Sequence, residues 1–240
     1  MNATYEILEW DSNFFGFKVC RINEPSLSND ELTEVLKLLN SLQIDLVYYS
    51  KENKLTSLNG ISAFYDIKLV DKKTTFAKKL NLSSVVNQNS AISEYKENYP
   101  EKKLLELAIE SGVYSRFNVD EKIERGKYQE LYSLWIINSV SKKLAKEVLV
   151  FRADNEIAGF VTLGEKNERA DIGIIAVDSF YRGKGIGKSL MLSAEKWFID
   201  KKYSSIQVVT QGENIPACRL YESCGYNIDK VEYFYHLWKK

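Results

Sequence analysis

The sequence predicts an α/β protein, and three observations carry that reading. Short runs of branched and aromatic residues with strand character alternate with runs whose apolar residues recur at helical spacing. The texture breaks once, at the polar stretch NLSSVVNQNS over 81–90, which separates a first α/β segment from a longer second one. Within the second segment a glycine-rich turn leads from the end of a strand into a helix. The expected organisation is a small N-terminal α/β domain over 1–88 and a second domain over 89–240.

In the first segment ELTEVLKLLNSL repeats Leu32, Val35, Leu36 and Leu39 on one helical face, and DLVYYS after it reads as a buried strand. In the second, SAISEYK reads as a strand. EKKLLELAIESG then reads as a helix with Leu104, Leu105, Ala108 and Ile109 on one side, ended by Gly112 as a C-cap. A further helix carries Tyr128, Leu131, Tyr132, Trp135, Ile136 and Ser139 as a stripe. Three strands follow, EVLVFRA, EIAGFVTLGE and RADIGIIAV, with ADNE as a hairpin turn between the first two. After the glycine loop, Ile186, Leu190, Ala194, Trp197 and Phe198 mark the buried side of a helix, and SSIQVVT is the next strand. The chain ends with a short helix in NIPACRLYESCG and a strand in YNIDKVEYFYHLW.

Composition excludes several classes. Lys+Arg and Asp+Glu are both 33, a charge balance that argues against a nucleic-acid-coating protein. No apolar run approaches the length of a membrane span, and the N-terminus carries no basic flank ahead of an apolar stretch, so the expectation is a soluble, cytoplasmic chain with no membrane partner. Three cysteines without paired spacing and a single histidine predict neither a disulfide scaffold nor a metal site. That histidine, His236, shares one strand face with Phe234 and Trp238; it reads as a strand histidine with a satisfied ring ahead of a catalytic base, which argues against a Ser-His-Asp triad.

The stretch RGKGIGKSL at 182–190 looks like a phosphate loop. A Walker loop needs a glycine where Arg182 stands, and Gly183 lies one residue too close. A dinucleotide fingerprint needs G-x-G-x-x-G, whereas Gly183, Gly185 and Gly187 are spaced G-x-G-x-G. Taken alone, the loop is either an anion cradle or a turn that only joins strand to helix.

In its wider setting, IIAVDSFYRGKGIGKSL resembles the acetyl-CoA signature of the GCN5-related N-acetyltransferases (GNAT), with Arg182, Gly185 and Gly187 filling its Arg/Gln-x-x-Gly-x-Gly/Ala pattern. Ser179 stands where that family often has Pro. NIPACRLYESCGY resembles the family's second segment, with Asn214 as N-cap, Pro216 in the first turn and Gly225 past the end. The resemblance implies the GNAT fold, a mixed, mostly antiparallel twisted sheet flanked by helices. It also implies acetyl-CoA as co-substrate, no metal, and direct transfer to an amine. Arg182, Gly183, Lys184, Gly185, Gly187, Lys188 and Asn214 are the implied binding residues, with backbone donors of Ile175 for the thioester carbonyl and of Val177 for the pantetheine arm.

Direct transfer needs a donor for the oxyanion and a proton for the thiolate that leaves. A phenol can supply that proton, and Tyr221, two helical turns from Asn214 on the same face, is the candidate; a plain core tyrosine is the competing reading. No side chain is an obvious base. Glu165 and Asp171 are candidates on neighbouring strands, each also readable as a surface carboxylate.

For the acceptor, LEWDSNFFGFKVCRI, YSRFNVD and YQELYSLWIINSV resemble the acetyltransferases that act on TDP-fucosamine, a nucleotide-linked amino-dideoxy sugar of surface polysaccharide synthesis. Trp10, Phe14, Phe15 and Phe17 read as core or as a base-stacking surface. Arg116, with Phe117 beside it, reads as a diphosphate or sugar contact or as an ordinary ion pair. Phe15, Arg116, Phe117 and Glu165 are thus the acceptor-side candidates. A different amine acceptor, a non-catalytic acyl-CoA binder and a P-loop nucleotide binder stay as alternatives, and a homodimer stays open.

Overall fold

The structure is a computed structural model and describes residues 5–55, 63–83 and 89–240. It divides into two compact units, one comprising the chain up to Lys73 together with Lys230–Lys240, the other Thr74–Asp229. Two strands therefore serve both units, because each unit boundary cuts a strand rather than a loop. The boundary expected at residue 88 lies outside the described residues.

The first unit contains β1 (Tyr5–Ile7), α1 (Glu9–Phe15), β2 (Val19–Ile22), α2 (Asn29–Ser41), β3 (Leu46–Lys51), the start of β4 (Tyr65–Lys79) and most of β10 (Asn227–Lys239). β1, β2, β3 and β10 are successive neighbours, with β2 and β3 parallel and joined through α2. The start of α2 is fixed by a capping box. The Ser28 hydroxyl accepts from the Glu31 amide at 3.3 Å, and the Glu31 carboxylate accepts from the Ser28 amide at 2.8 Å. The face below it buries Leu32, Leu36 and Leu39 against Cys20, Val47, Tyr49 and Leu237, each such residue contributing about 1.5–3 kcal/mol of burial free energy. His236 pairs with Tyr48 across β10 and β3 and stacks on its ring at 5.0 Å, fully buried.

The second unit sets the strands in the order β4, β9 (Ser205–Gln211), β8 (Arg169–Val177), β7 (Glu156–Lys166), β6 (Glu147–Ala153), β5 (Ile92–Glu94). The β5–β6, β6–β7 and β7–β8 pairs are antiparallel and β8–β9 is parallel. Both hairpins turn on two residues at positive φ, Asp154–Asn155 and Asn167–Glu168, the geometry of type I′ turns. Period-2 alternation sends neighbouring residues to two cores. Val148 and Val150 join α3 (Lys102–Ser111) and α5 (Lys127–Val140), whereas Leu149 joins α6 (Ile186–Asp200) and α7 (Ile215–Ser223).

Gly112 does end α3, but not as a left-handed cap: its φ is −86°. A Cβ there would meet the Tyr132 ring at 2.7 Å, so close helix packing is what requires glycine. Among the elements that escaped the sequence reading are α1, β4, the single turn α4 (Arg116–Val119) and a 3₁₀ turn at Ser179–Tyr181.

Candidate active site

The site begins where β8 leaves β9. Registered pairing runs from Ala170↔Ile206 to Ile172↔Val208 and stops, while β8 continues to Val177. On its other side β8 slips against β7: Val161 faces Ile175, but Leu163 faces Ile172. This bulge is held by the Thr162 hydroxyl, which accepts from the buried Ile174 amide at 2.8 Å. Gly173 lies opposite, where a Cβ would come within 2.8 Å of that hydroxyl. Beside this point lies a cleft of about 1000 Å³ within the second unit, lined by residues of β8, β9, α6 and α7 among others.

One wall of the cleft is the glycine loop. Gly183 and Gly185 have φ of 76° and 79°, and Gly185 caps α6 with no side-chain hydrogen bond. A Cβ on either would touch nothing within 4 Å. The loop therefore presents open backbone at the N-terminus of a 15-residue helix, where amide groups lack intrahelical partners and the helix dipole is positive. These features fit a diphosphate. Gly187 has a different reason: a Cβ there would lie 3.1 Å from Leu220, so glycine lets α6 and α7 approach.

Arg182, Gly183, Gly185, Gly187, Lys188, Ile175, Val177, Asn214, Tyr221 and Glu165 all line the cleft. Lys184 does not; its ammonium lies over the rings of Phe180 and Tyr181 at 5.0 and 4.9 Å. The Arg182 guanidinium donates from Nε to the Val177 carbonyl at 3.1 Å and pairs with Glu110 at 2.5 Å.

Asn214 caps α7 by accepting from the Ala217 amide at 3.3 Å, and Tyr221 follows two turns on. Tyr221 is 3% exposed and packs edge-on against Phe76 at 5.5 Å. Its burial pushes the phenol pKa above the ordinary tyrosine value, so the proton stays on at neutral pH. Tyr221 is thus both a member of the buried core cluster and a residue of the cleft lining, and the core reading and the proton-donor reading both stand.

The two carboxylates offered as bases are both engaged. Glu165 accepts from Lys146 and from the Tyr203 hydroxyl, and the bond from Lys146 holds its carboxyl below the usual range. Asp171 accepts from the Gln207 side chain at 2.8 Å.

Arg116 and Phe117 are not among the residues lining the cleft. The Arg116 guanidinium lies over the Phe117 ring at 4.6 Å, and Phe117 is buried. Phe15 belongs to the first unit, in a chain of ring contacts: Trp10–Phe14 at 5.0 Å, Phe14–Phe15 at 4.9 Å, Phe15–Phe17 at 5.7 Å and Phe17–Trp238 at 5.1 Å. Within that group Phe15 packs as core, while Trp10 remains 56% exposed.

Sequence reasoning missed Thr162, Gly173 and the cleft-lining residues Tyr114 and Trp135. The only signal for the first two was an isolated glycine inside a strand pattern, which marks bulges. Among the described residues no group of three or more His, Cys, Asp or Glu could hold a metal, and no helix is long and apolar enough to cross a membrane.

A splayed parallel pair, a bulged strand and a glycine loop opening a helix are the marks of this fold, and solved structures share it. A conserved protein of unknown function from Staphylococcus epidermidis superposes with a TM-score of 0.65 at 10% identity, over 97% of this chain and 89% of that one. A GNAT-family protein from Novosphingobium aromaticivorans does so with a TM-score of 0.52 at 13% identity, over 92% and 88%. The model of the acetyltransferase (GNAT) family matches residues 103–226, and the chain belongs to that family.

Among characterised relatives, dTDP-fucosamine acetyltransferase of Escherichia coli is 26% identical over 98% of both chains. Streptothricin acetyltransferase of Escherichia coli is 37% identical over 34% of this chain, and the spore coat polysaccharide biosynthesis protein SpsD of Bacillus subtilis is 26% identical over 56%. The chain spans about half the length of these last two, 47% and 46% respectively.

Proposed function

We propose that the chain transfers an acetyl group directly from acetyl-CoA to the amine of a nucleotide-linked amino-dideoxy sugar of the dTDP-4-amino-4,6-dideoxyhexose type, in the cytoplasm, for surface polysaccharide synthesis. The single observation that carries the acceptor class is the end-to-end likeness to dTDP-fucosamine acetyltransferase, which takes in the first unit as well as the family domain.

The residues of the cleft fit the donor. The amides of the loop from Arg182 to Lys188 would hold its diphosphate, and Asn214 and the edge of β8 at Val177 would flank its arm. Acetyl-CoA supplies the acyl group as a thioester. The Ile175 amide would stabilise the oxyanion, since preorganised donors at developing charge cost no reorganisation. Tyr221, protonated at neutral pH, donates a hydrogen bond to the departing sulfur. With Glu165 and Asp171 both hydrogen-bonded, a water in the cleft is the better carrier of the amine proton.

A coenzyme A release assay across amines tests this reading. TDP- and UDP-linked amino-dideoxy sugars are set beside a polyamine, an N-terminal peptide and a streptothricin-type antibiotic. Turnover confined to nucleotide sugars is expected. Turnover confined to the antibiotic would favour the second reading, which the 37% identical stretch shared with streptothricin acetyltransferase supports. Coenzyme A binding without release for any amine would leave a non-catalytic binder.

A further inference from the structure

One face of α3 holds the segment that leads into the glycine loop at two points, Asp178 before the 3₁₀ turn and Arg182 at the loop's first residue. Lys103 and Glu110 are seven residues apart on that helix, two turns along the same face. Lys103 pairs with Asp178, and the Asp178 carboxylate accepts from the Phe180 amide at 2.8 Å, capping the 3₁₀ turn that leads into the loop. Each partner favours the other's charge: the Lys103 hydrogen bond lowers the Asp178 pKa, and Asp178 raises that of Lys103. Four residues after Asp178, Glu110 pairs with Arg182 at 2.5 Å while Arg182 Nε reaches back to the Val177 carbonyl at 3.1 Å.

A carboxylate lining a cleft built for an anion is unfavourable unless it is neutralised or does a job. The geometry points to a job for Glu110: we infer that it is a positioning residue whose carboxylate latches Arg182 across the end of β8 and so fixes the backbone of the glycine loop. The inference rests on the reading that this loop takes coenzyme A. The guanidinium spends its Nε donor and one Nη2 donor on the latch, and its Nη1 donors stay available to a phosphate. The pair is half exposed, at 58% and 40%, so direct charge attraction is screened. What the latch contributes is preorganisation, which lowers the ordering cost of binding.

Calorimetric titration with coenzyme A of the full chain tests this, using Glu110→Ala, Arg182→Ala, the double variant and Glu110→Gln, with circular dichroism and thermal melts to check each fold. Glu110→Ala should weaken binding about fivefold, the scale of one well-placed surface pair. In the Arg182→Ala background the same change should cost nothing further, and Glu110→Gln, which keeps a hydrogen bond to the guanidinium, should fall between. Equal losses in both backgrounds would overturn the latch, because Glu110 would then act without Arg182. Unchanged or tighter binding by a folded Glu110→Ala would also overturn it. A second grip is tested by Lys103→Ala, which should weaken binding independently of Arg182. Failure of the wild-type chain to bind coenzyme A is a separate outcome, and it would remove the acetyltransferase reading along with the latch.

Discussion

Thr162 accepts a hydrogen bond from the Ile174 amide at 2.8 Å, at the residue where β7 and β8 slip out of register. That bond satisfies an amide which the bulge removes from the ladder, and it lies next to the point where β8 parts from β9. Thr162→Val keeps the shape and removes the acceptor, leaving a buried amide unpaired at a cost of about 1–3 kcal/mol. A fall in the melting midpoint of about 2–4 °C per kcal/mol is expected for a chain of this size. Turnover should fall with it, and Thr162→Ser should restore both. Wild-type stability in Thr162→Val would show that the bulge does not depend on this hydroxyl.

Tyr221→Phe removes one oxygen from a packed ring and leaves the glycine loop alone. Turnover should drop by about 10²–10⁴-fold, the usual scale for a positioned proton donor, while calorimetry should show nearly unchanged coenzyme A affinity. Equal turnover in the two proteins would end the assignment.

The pH profile gives an independent check on the same residue. Burial raises the Tyr221 pKa above the tyrosine value of 10, so the phenol stays protonated through neutral and mildly alkaline pH. Turnover by the wild type should therefore show no alkaline decline below about pH 10, the ordinary phenol value. A decline centred near pH 8 that Tyr221→Phe abolishes would contradict the placement.

Gly185 sits at a φ of 79° with open space where a Cβ would go. A β-branched side chain is strained there by about 1–2 kcal/mol, and it would also fill the approach to the loop. Gly185→Val should thus weaken coenzyme A binding at least tenfold, and unchanged affinity would detach the loop from the donor.

Burial in the first unit sets a limit on alkaline stability. The Cys20 thiol is pushed from 9.0 up to about 12 and the Tyr49 phenol from 10.0 up to about 12, in each case by desolvation. Both are raised in the folded state, so their neutral forms contribute stability that is fully present below the unfolded values and is lost as pH rises towards 12. Urea midpoints should hold near pH 8 and decline between pH 9 and 12. Cys20→Ala should flatten the early part of that decline, and a midpoint that rises with pH in this window would contradict the sign.

Much of the second unit was readable from residue order because its strands alternate cleanly and its helices carry long apolar stripes. EVLVFRA and RADIGIIAV coincide with β6 and β8 residue for residue. The glycine loop and the Asn214–Tyr221 spacing were readable because backbone conformation and helical pitch restrict residue type there. β4 was not: its 15 residues include Lys68, Asp71, Lys72, Lys73, Lys78 and Lys79, and such charge density hides a strand whose apolar members are few. The Glu110–Arg182 pair was equally hidden, since 72 residues separate partners that only the fold brings together. Lys184 shows the converse, a motif residue whose side chain the fold turns onto Phe180 and Tyr181.

The most direct measurement is mass spectrometry of the products formed by the purified chain from acetyl-CoA and a dTDP-linked 4-amino-4,6-dideoxyhexose. The expected result is the N-acetylated nucleotide sugar in amounts matching the coenzyme A released. An unmodified nucleotide sugar, from protein that binds coenzyme A and acetylates another amine in the same assay, would contradict the proposed acceptor.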